Sequence, residues 1–154
     1  MAEVLFYHLT QTPLERTLPE LLEKSLQRGW RVLVKGRDAS QLEFLDNALW
    51  TYRADSFLPH GTARDSAKDQ PIYLTVGDDE PNEADILMLV DGAEYPFENM
   101  ATFDRVCVLF DGNDADALAA AREGWKSTTA AKLPAKYWAQ DDGRWVQKAE
   151  NTPD

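Results

Sequence analysis

Ile86-Leu87-Met88-Leu89-Val90 and Val106-Cys107-Val108-Leu109-Phe110 are almost continuous apolar runs of strand length. A strand that is apolar at every position has no face to give to water, so both runs belong in the middle of a sheet that is covered on both sides. A parallel sheet with crossovers packed on its two faces meets that demand, and the chain upstream alternates accordingly.

Val4-Leu5-Phe6-Tyr7-His8-Leu9 is short and rich in β-formers, which predicts a first strand. Thr12, Pro13 and Glu15 supply an N-cap, a first-turn proline and a capping-box carboxylate. A helix should follow, with Leu14, Leu18, Leu21, Leu22 and Leu26 on its apolar face and Gly29 at its end. Pro19 lies inside that pattern, so either the helix kinks there or its regular part starts near Thr17. Residues 30–34 predict the second strand, and Asp38 with Gln41 opens a helix that places Leu42, Leu45 and Leu49 on one side. Residues 72–76, 86–90 and 105–110 are three further strands, 115–125 a last helix, and 135–140 with 144–148 a closing hairpin around Asp141-Asp142-Gly143. The fold expected is α/β: a single three-layer, Rossmann-like domain over 1–150, its sheet mainly parallel with an antiparallel C-terminal hairpin. Residues 151–154 should fray, and the polar stretch 61–70 is the best candidate for a mobile loop.

The 154 residues fit one domain, and a net charge of −11 puts a repulsive field before any polyanion. Broad contact with nucleic-acid phosphates is therefore disfavoured. Cys107, the single cysteine, reads as a buried thiol inside its apolar run, so no disulfide framework exists within the chain. The start Met1-Ala2-Glu3 carries no basic targeting region, and no apolar stretch approaches the roughly 18 residues of a membrane span. A cytoplasmic protein with no membrane role is expected.

A small Rossmann-like enzyme or nucleotide-binding domain, with its ligand at the C-terminal ends of the strands, is the natural rival reading. The turn Leu9-Thr10-Gln11-Thr12-Pro13 has no glycine to bring backbone amides to a pyrophosphate, and Gly36-Arg37-Asp38-Ala39-Ser40 lacks the P-loop spacing and its lysine. His8 and His60 have no partner at ligand spacing, and the acidic run Asp78-Asp79-Glu80 with Glu83 and Asp85 lacks the calcium-loop pattern. The serines occupy no nucleophile elbow. No catalytic, cofactor or metal residue is assigned on these grounds.

Asn47-Ala48-Leu49-Trp50 followed by Asp55-Ser56-Phe57-Leu58-Pro59-His60 resembles the signature of the chi subunit family of bacterial DNA polymerase III, a helix end reading Leu-Trp and then Ser-Phe-(Val/Leu)-Pro-His. Further matches follow in order: Phe6-Tyr7, Gly29-Trp30-Arg31-Val32-Leu33-Val34, Ala84-Asp85-Ile86-Leu87, and Tyr137-Trp138 to Gly143-Arg144-Trp145. The resemblance runs over essentially the whole chain. It implies a non-catalytic accessory role in DNA replication without a cofactor, in which the clamp loader is linked to single-stranded DNA-binding protein through that protein's acidic, phenylalanine-ended tail. DNA would be met only indirectly.

A receptor for such a tail needs cations beside an apolar pocket. Residues 122–148 hold six basic residues against three acidic ones, a balance of +3 that leaves −14 on the rest of the chain. Arg122 and Lys126 share one helix face with Trp125 beside them. The resemblance implies tail binding at Arg122, Trp125 and Lys126; Lys132 is added by position alone. Leu118 stands where the family tends to have another basic residue one turn earlier. The resemblance also implies that Trp50, Phe57, Leu58, Pro59 and His60 meet the psi subunit or another clamp-loader or helicase component. Without it, Arg122, Trp125 and Lys126 read as an amphipathic helix with solvated charges and a core tryptophan.

Overall fold

The protein, represented by a computed structural model, is described over residues 3–10, 14–50, 60–61, 71–76, 84–90, 93, 103–141 and 144–151, with the backbone alone for Trp50, His60 and Gly61. The elements in chain order are β1 (Glu3–Leu9), α1 (Leu14–Gln27), β2 (Val32–Lys35), α2 (Ala39–Trp50), β3 (His60–Gly61), β4 (Ile72–Thr75), β5 (Ile86–Leu89), β6 (Arg105–Asp111), α3 (Ala115–Ala130), β7 (Ala135–Asp141) and β8 (Arg144–Asn151). They build an eight-stranded sheet in the order β3-β4-β2-β5-β6-β1-β7-β8. Every neighbouring pair is parallel except the closing hairpin β7–β8. This is the α/β architecture that the apolar runs require, with β5 and β6 in the interior of the sheet.

Alternation along each strand divides the core in two. Leu5, Val34, Met88 and Cys107 face α1 and α2, where Leu18, Leu22 and Leu45 meet them. Val4, Phe6, Leu87 and Val106 face the other way, toward Ala121 and Trp125 of α3. Helix, sheet and helix therefore form three layers. Burial pushes the Cys107 thiol up to about 12, as expected for an inert core sulfur.

Pro19 does not interrupt α1, which runs continuously past it. At the sixth position of the helix its missing N–H leaves one carbonyl of the first turn without its usual donor, a local loss that the burial of Leu18, Pro19 and Leu22 offsets. The far end closes as expected from Gly29, whose φ is +79°. Its N–H donates to Leu26 and the N–H of Trp30 to Ser25, the bond pattern of a glycine-closed helix end. That turn delays β2 to Val32, and the Asp85 carboxylate accepts from the Arg31 N–H at 2.9 Å beside it.

Other boundaries differ from the sequence reading as well. α3 continues five residues beyond Trp125, and within that extension the hydroxyls of Thr128 and Thr129 donate back to the carbonyls of Gly124 and Lys126. Asn151, assigned to the frayed end, instead pairs with Ala135, and its side-chain amide donates to the Leu133 carbonyl. His60 and Gly61 form a short edge strand beside Ile72 and Tyr73. The remainder of the expected loop, 62–70, lies outside the described residues, as do 152–154.

Candidate functional site

The Asp114 carboxylate caps α3 by accepting from the N–H groups of Asp116 and Ala117. From that start, helical phase turns Leu118, Ala121, Trp125 and Thr128 toward the sheet and leaves Arg122 and Lys126 on an exposed flank. Gly124 lies over the Phe6 ring, so that even an added methyl would meet it at 3.4 Å. The helix thus lies close to β1.

Trp125 is half-buried in an aromatic cluster. Its ring is edge-on to Phe6, with centroids 5.6 Å apart, and to Tyr137, at 6.0 Å. Tyr137 also stacks on Phe6 at 6.3 Å and meets Phe110 at 6.0 Å. Register explains the meeting, since Phe6 and Tyr137 are Cα partners in the parallel β1–β7 pair. One strand step further, the Tyr137 hydroxyl lies 3.0 Å from Nδ1 of His8. The Nε2 side of that ring faces Gly112, whose backbone hydrogen-bonds it. Which of the two groups donates across that 3.0 Å contact follows the imidazole tautomer.

Electrostatics tie Arg122 to the same cluster. Burial holds His8 below its usual pKa, and the Arg122 charge pushes in the same direction against the Gly112 hydrogen bond and Asp111. Burial raises Tyr137 while Arg122 opposes the rise. Arg122 itself makes no ion pair among the described residues. Lys126 sits one turn on and pairs with Glu123 at 3.5 Å, but both side chains are about three-quarters exposed, so the pair holds neither firmly.

The structure therefore brings Arg122 and Trp125 together and leaves Lys126 on the adjoining flank. Lys132 falls beyond the helix end with φ +60°, ten residues or about 15 Å along the axis from Arg122. Of the other basic residues in the stretch, Lys136 pairs with Glu3 and Lys148 with Asp141. Two residues of the cluster, His8 and Tyr137, were not singled out from the sequence. Only the pairing of strands far apart in the chain places them beside α3. Trp50 ends α2, and His60 begins β3 at the sheet edge farthest from the hairpin. Phe57, Leu58 and Pro59 lie outside the described residues.

At the C-terminal ends of β1, β6 and β7, where the rival reading would put a ligand, polar groups are engaged with one another. Thr10 donates through its N–H and its hydroxyl to the side chain and carbonyl of Gln140, and the Asn113 amide donates to the Thr10 carbonyl. No described helix is long and apolar enough to cross a membrane.

Comparison with known proteins bears on what these elements carry. The family model described as DNA polymerase III chi subunit, HolC, matches residues 1–136. The chain is 27% identical over 117 residues to the probable DNA polymerase III subunit chi of Rickettsia prowazekii (strain Madrid E), covering 72% of this chain and 71% of that one. It is 34% identical over 68 residues to the DNA polymerase III subunit chi of Pseudomonas aeruginosa, covering 44% of this chain and 47% of that protein. The match spans both halves of the core and the whole of α3, and stops at the second residue of β7. With a family model covering nearly nine-tenths of its length, the chain belongs to the chi subunit family of DNA polymerase III and has the accessory role in replication that goes with it.

Proposed function

We propose that this chain is a non-catalytic adaptor of the DNA polymerase III holoenzyme, which links the clamp loader to single-stranded DNA-binding protein by holding that protein's acidic C-terminal tail. The observation that carries the reading is the exposed Arg122 guanidinium, without a carboxylate partner among the described residues, beside the half-buried Trp125 and the His8–Tyr137 pair. A carboxylate-rich tail would meet the cation, and its phenylalanine would lie against aromatic rings. Lys126 adds charge along the same flank, and Lys132 steers at longer range.

The second contact is assigned to Trp50, Phe57, Leu58, Pro59 and His60, facing the psi subunit or another clamp-loader or helicase component. The positions of Trp50 and His60 support it, because they lie toward the β3 edge whereas Tyr137 and α3 lie toward the hairpin edge. Two partners could then be held on one rigid body without collision, which raises their effective concentration and needs no chemistry. The protein would work in the cytoplasm, at the nucleoid, and meet DNA only through its partners.

Titration of a peptide with the acidic C-terminal sequence of the cognate single-stranded DNA-binding protein tests this. Wild type should bind, more weakly as salt rises, and Arg122→Ala and Lys126→Ala should bind less tightly. Absence of binding by wild type, or no loss of affinity in either variant, would remove the assignment.

A further inference from the structure

Neighbouring residues of β1 point to opposite faces of the sheet, so Tyr7 turns away from the Arg122 cluster into a separate cleft of about 330 Å³. That volume lies at the lower end of the roughly 300–1,000 Å³ typical of ligand sites. The cleft opens between α1 and the closing hairpin. Its floor is apolar, formed by Leu21, Ile86, Met88 and the Cys107 thiol. Its walls are aromatic: Tyr7 and Trp30, with Trp138 and Trp145 from the two strands of the hairpin. Trp145 stands edge-on to Tyr7 at 5.2 Å. Both hairpin tryptophans follow residue 136, so half of this wall lies beyond the segment that the family model covers.

The charge of the cleft runs against that of the chain. Lys24, Arg28 and Arg105 line it and no carboxylate among the described residues does, in a protein of net charge −11. Arg105 pairs with Glu3 at 3.5 Å, but Lys24 and Arg28 have no ion-pair partner among the described residues and lie one helical turn apart. Arg28 and Arg105 also stand over the Trp30 ring, at 5.1 and 5.0 Å. Cation–π contact holds those guanidiniums near the cleft and leaves the N–H fork of Arg28 to an incoming acceptor.

We propose that this cleft is a docking site for an acidic peptide segment of a partner protein, which inserts one apolar side chain between the tryptophans while its carboxylates meet Lys24, Arg28 and Arg105. Tryptophan, tyrosine and arginine around a dry floor are the composition of interface hot spots. A nucleotide base fits less well. Its polar edge would be buried over Leu21, Ile86 and Met88, and the Ser25 hydroxyl at the rim already donates to the Leu21 carbonyl. The chain's overall negative field also opposes an extended nucleic acid strand. The site is independent of the Arg122 surface, and its failure would leave that reading intact.

The test is an NMR titration of the full chain, following the tryptophan indole N–H resonances. The probe is a synthetic peptide of aspartates flanking one central phenylalanine, blocked at both ends so that it has no terminal carboxylate. The indoles of Trp30, Trp138 and Trp145 should shift saturably, and replacing the phenylalanine of the peptide by glycine should weaken binding at least tenfold. Arg28→Glu should weaken it at least tenfold as well, with Lys24→Glu as the second variant if the first lowers the melting temperature. Arg122→Ala should leave it within twofold. Indoles that do not move at millimolar peptide, dependence on Arg122 in place of Arg28, or tighter binding of a thymidine tetranucleotide than of the peptide would each overturn the proposal.

Discussion

The hydroxyl of Tyr137 and Nδ1 of His8 lie 3.0 Å apart, joining the strand that ends the family match to the strand that opens the chain. The Nε2 side of the ring faces the Gly112 backbone, so the imidazole sits between two neighbours. This polar link lies at the edge of an otherwise aromatic cluster, beneath the cation proposed to receive an acidic ligand.

Stability should depend on pH through His8. Its folded-state pKa is below the ordinary 6.5, chiefly because burial disfavours the charged ring, so the native protein binds fewer protons than the unfolded chain between the depressed value and 6.5. Stability therefore rises with pH across that window, levels off above it, and is lost as pH falls. Urea unfolding midpoints measured between about pH 5 and 8 should show the rise in wild type and a flatter profile in His8→Gln.

Tyr137→Phe keeps the ring and removes the hydroxyl, leaving Nδ1 of His8 without its protein hydrogen-bond partner. The expected loss is about 1 kcal/mol by denaturant unfolding, with the aromatic packing against Trp125 intact by near-ultraviolet circular dichroism.

Gly112→Ala should cost more. The added methyl would overlap the His8 imidazole and press on the Leu9 carbonyl at 3.0 Å, so the ring must leave its place and the Tyr137 bond goes with it. A loss of about 1–3 kcal/mol is expected, together with loss of the pH dependence assigned to His8.

Lys132→Gly should act in the opposite direction. A lysine at φ +60° carries left-handed strain that glycine does not, at the position where the chain leaves α3. Thermal unfolding should report a gain of about 0.5–1 kcal/mol. If Lys132 only steers a distant ligand, affinity for the acidic tail should fall less in this variant than in Arg122→Ala.

The sheet was legible because its signals are local. The runs at 86–90 and 106–110 demand burial on both faces, Gly29 closes α1 through a backbone geometry that glycine supplies, and Asp38 marks the start of α2 by accepting from the Ser40 N–H. The length of α3 was not legible: the expected helix stops at Trp125, whereas Ser127, Thr128 and Thr129 lie inside the observed one, the two threonine hydroxyls donating to carbonyls of the turn before them. The site was legible in part. Arg122, Trp125 and Lys126 follow from helical spacing and the family resemblance, whereas His8 and Tyr137 join them only through the β1–β7 register, across 129 positions of sequence. The cleft beneath Trp145 is hidden for the same reason, since β1, β5, β6 and the hairpin all contribute to it.

Arg122 and Lys126 have equal formal charge, and their surroundings predict unequal roles. Lys126 is held only by an exposed pair with Glu123, so Lys126→Ala should change stability by less than about 0.5 kcal/mol and reduce tail affinity through lost charge alone. That reduction should disappear at high salt. The Arg122 charge reaches both His8 and Tyr137, and its planar fork can grip a carboxylate through two N–H groups where a lysine offers a point charge. Arg122→Lys, which keeps the charge and loses the planar fork, should therefore bind the tail less tightly than wild type even at low salt. Isothermal titration of wild type and the two variants at two salt concentrations separates the contributions. Equal affinities for wild type and Arg122→Lys would reduce Arg122 to a point charge and remove the directional role assigned to it.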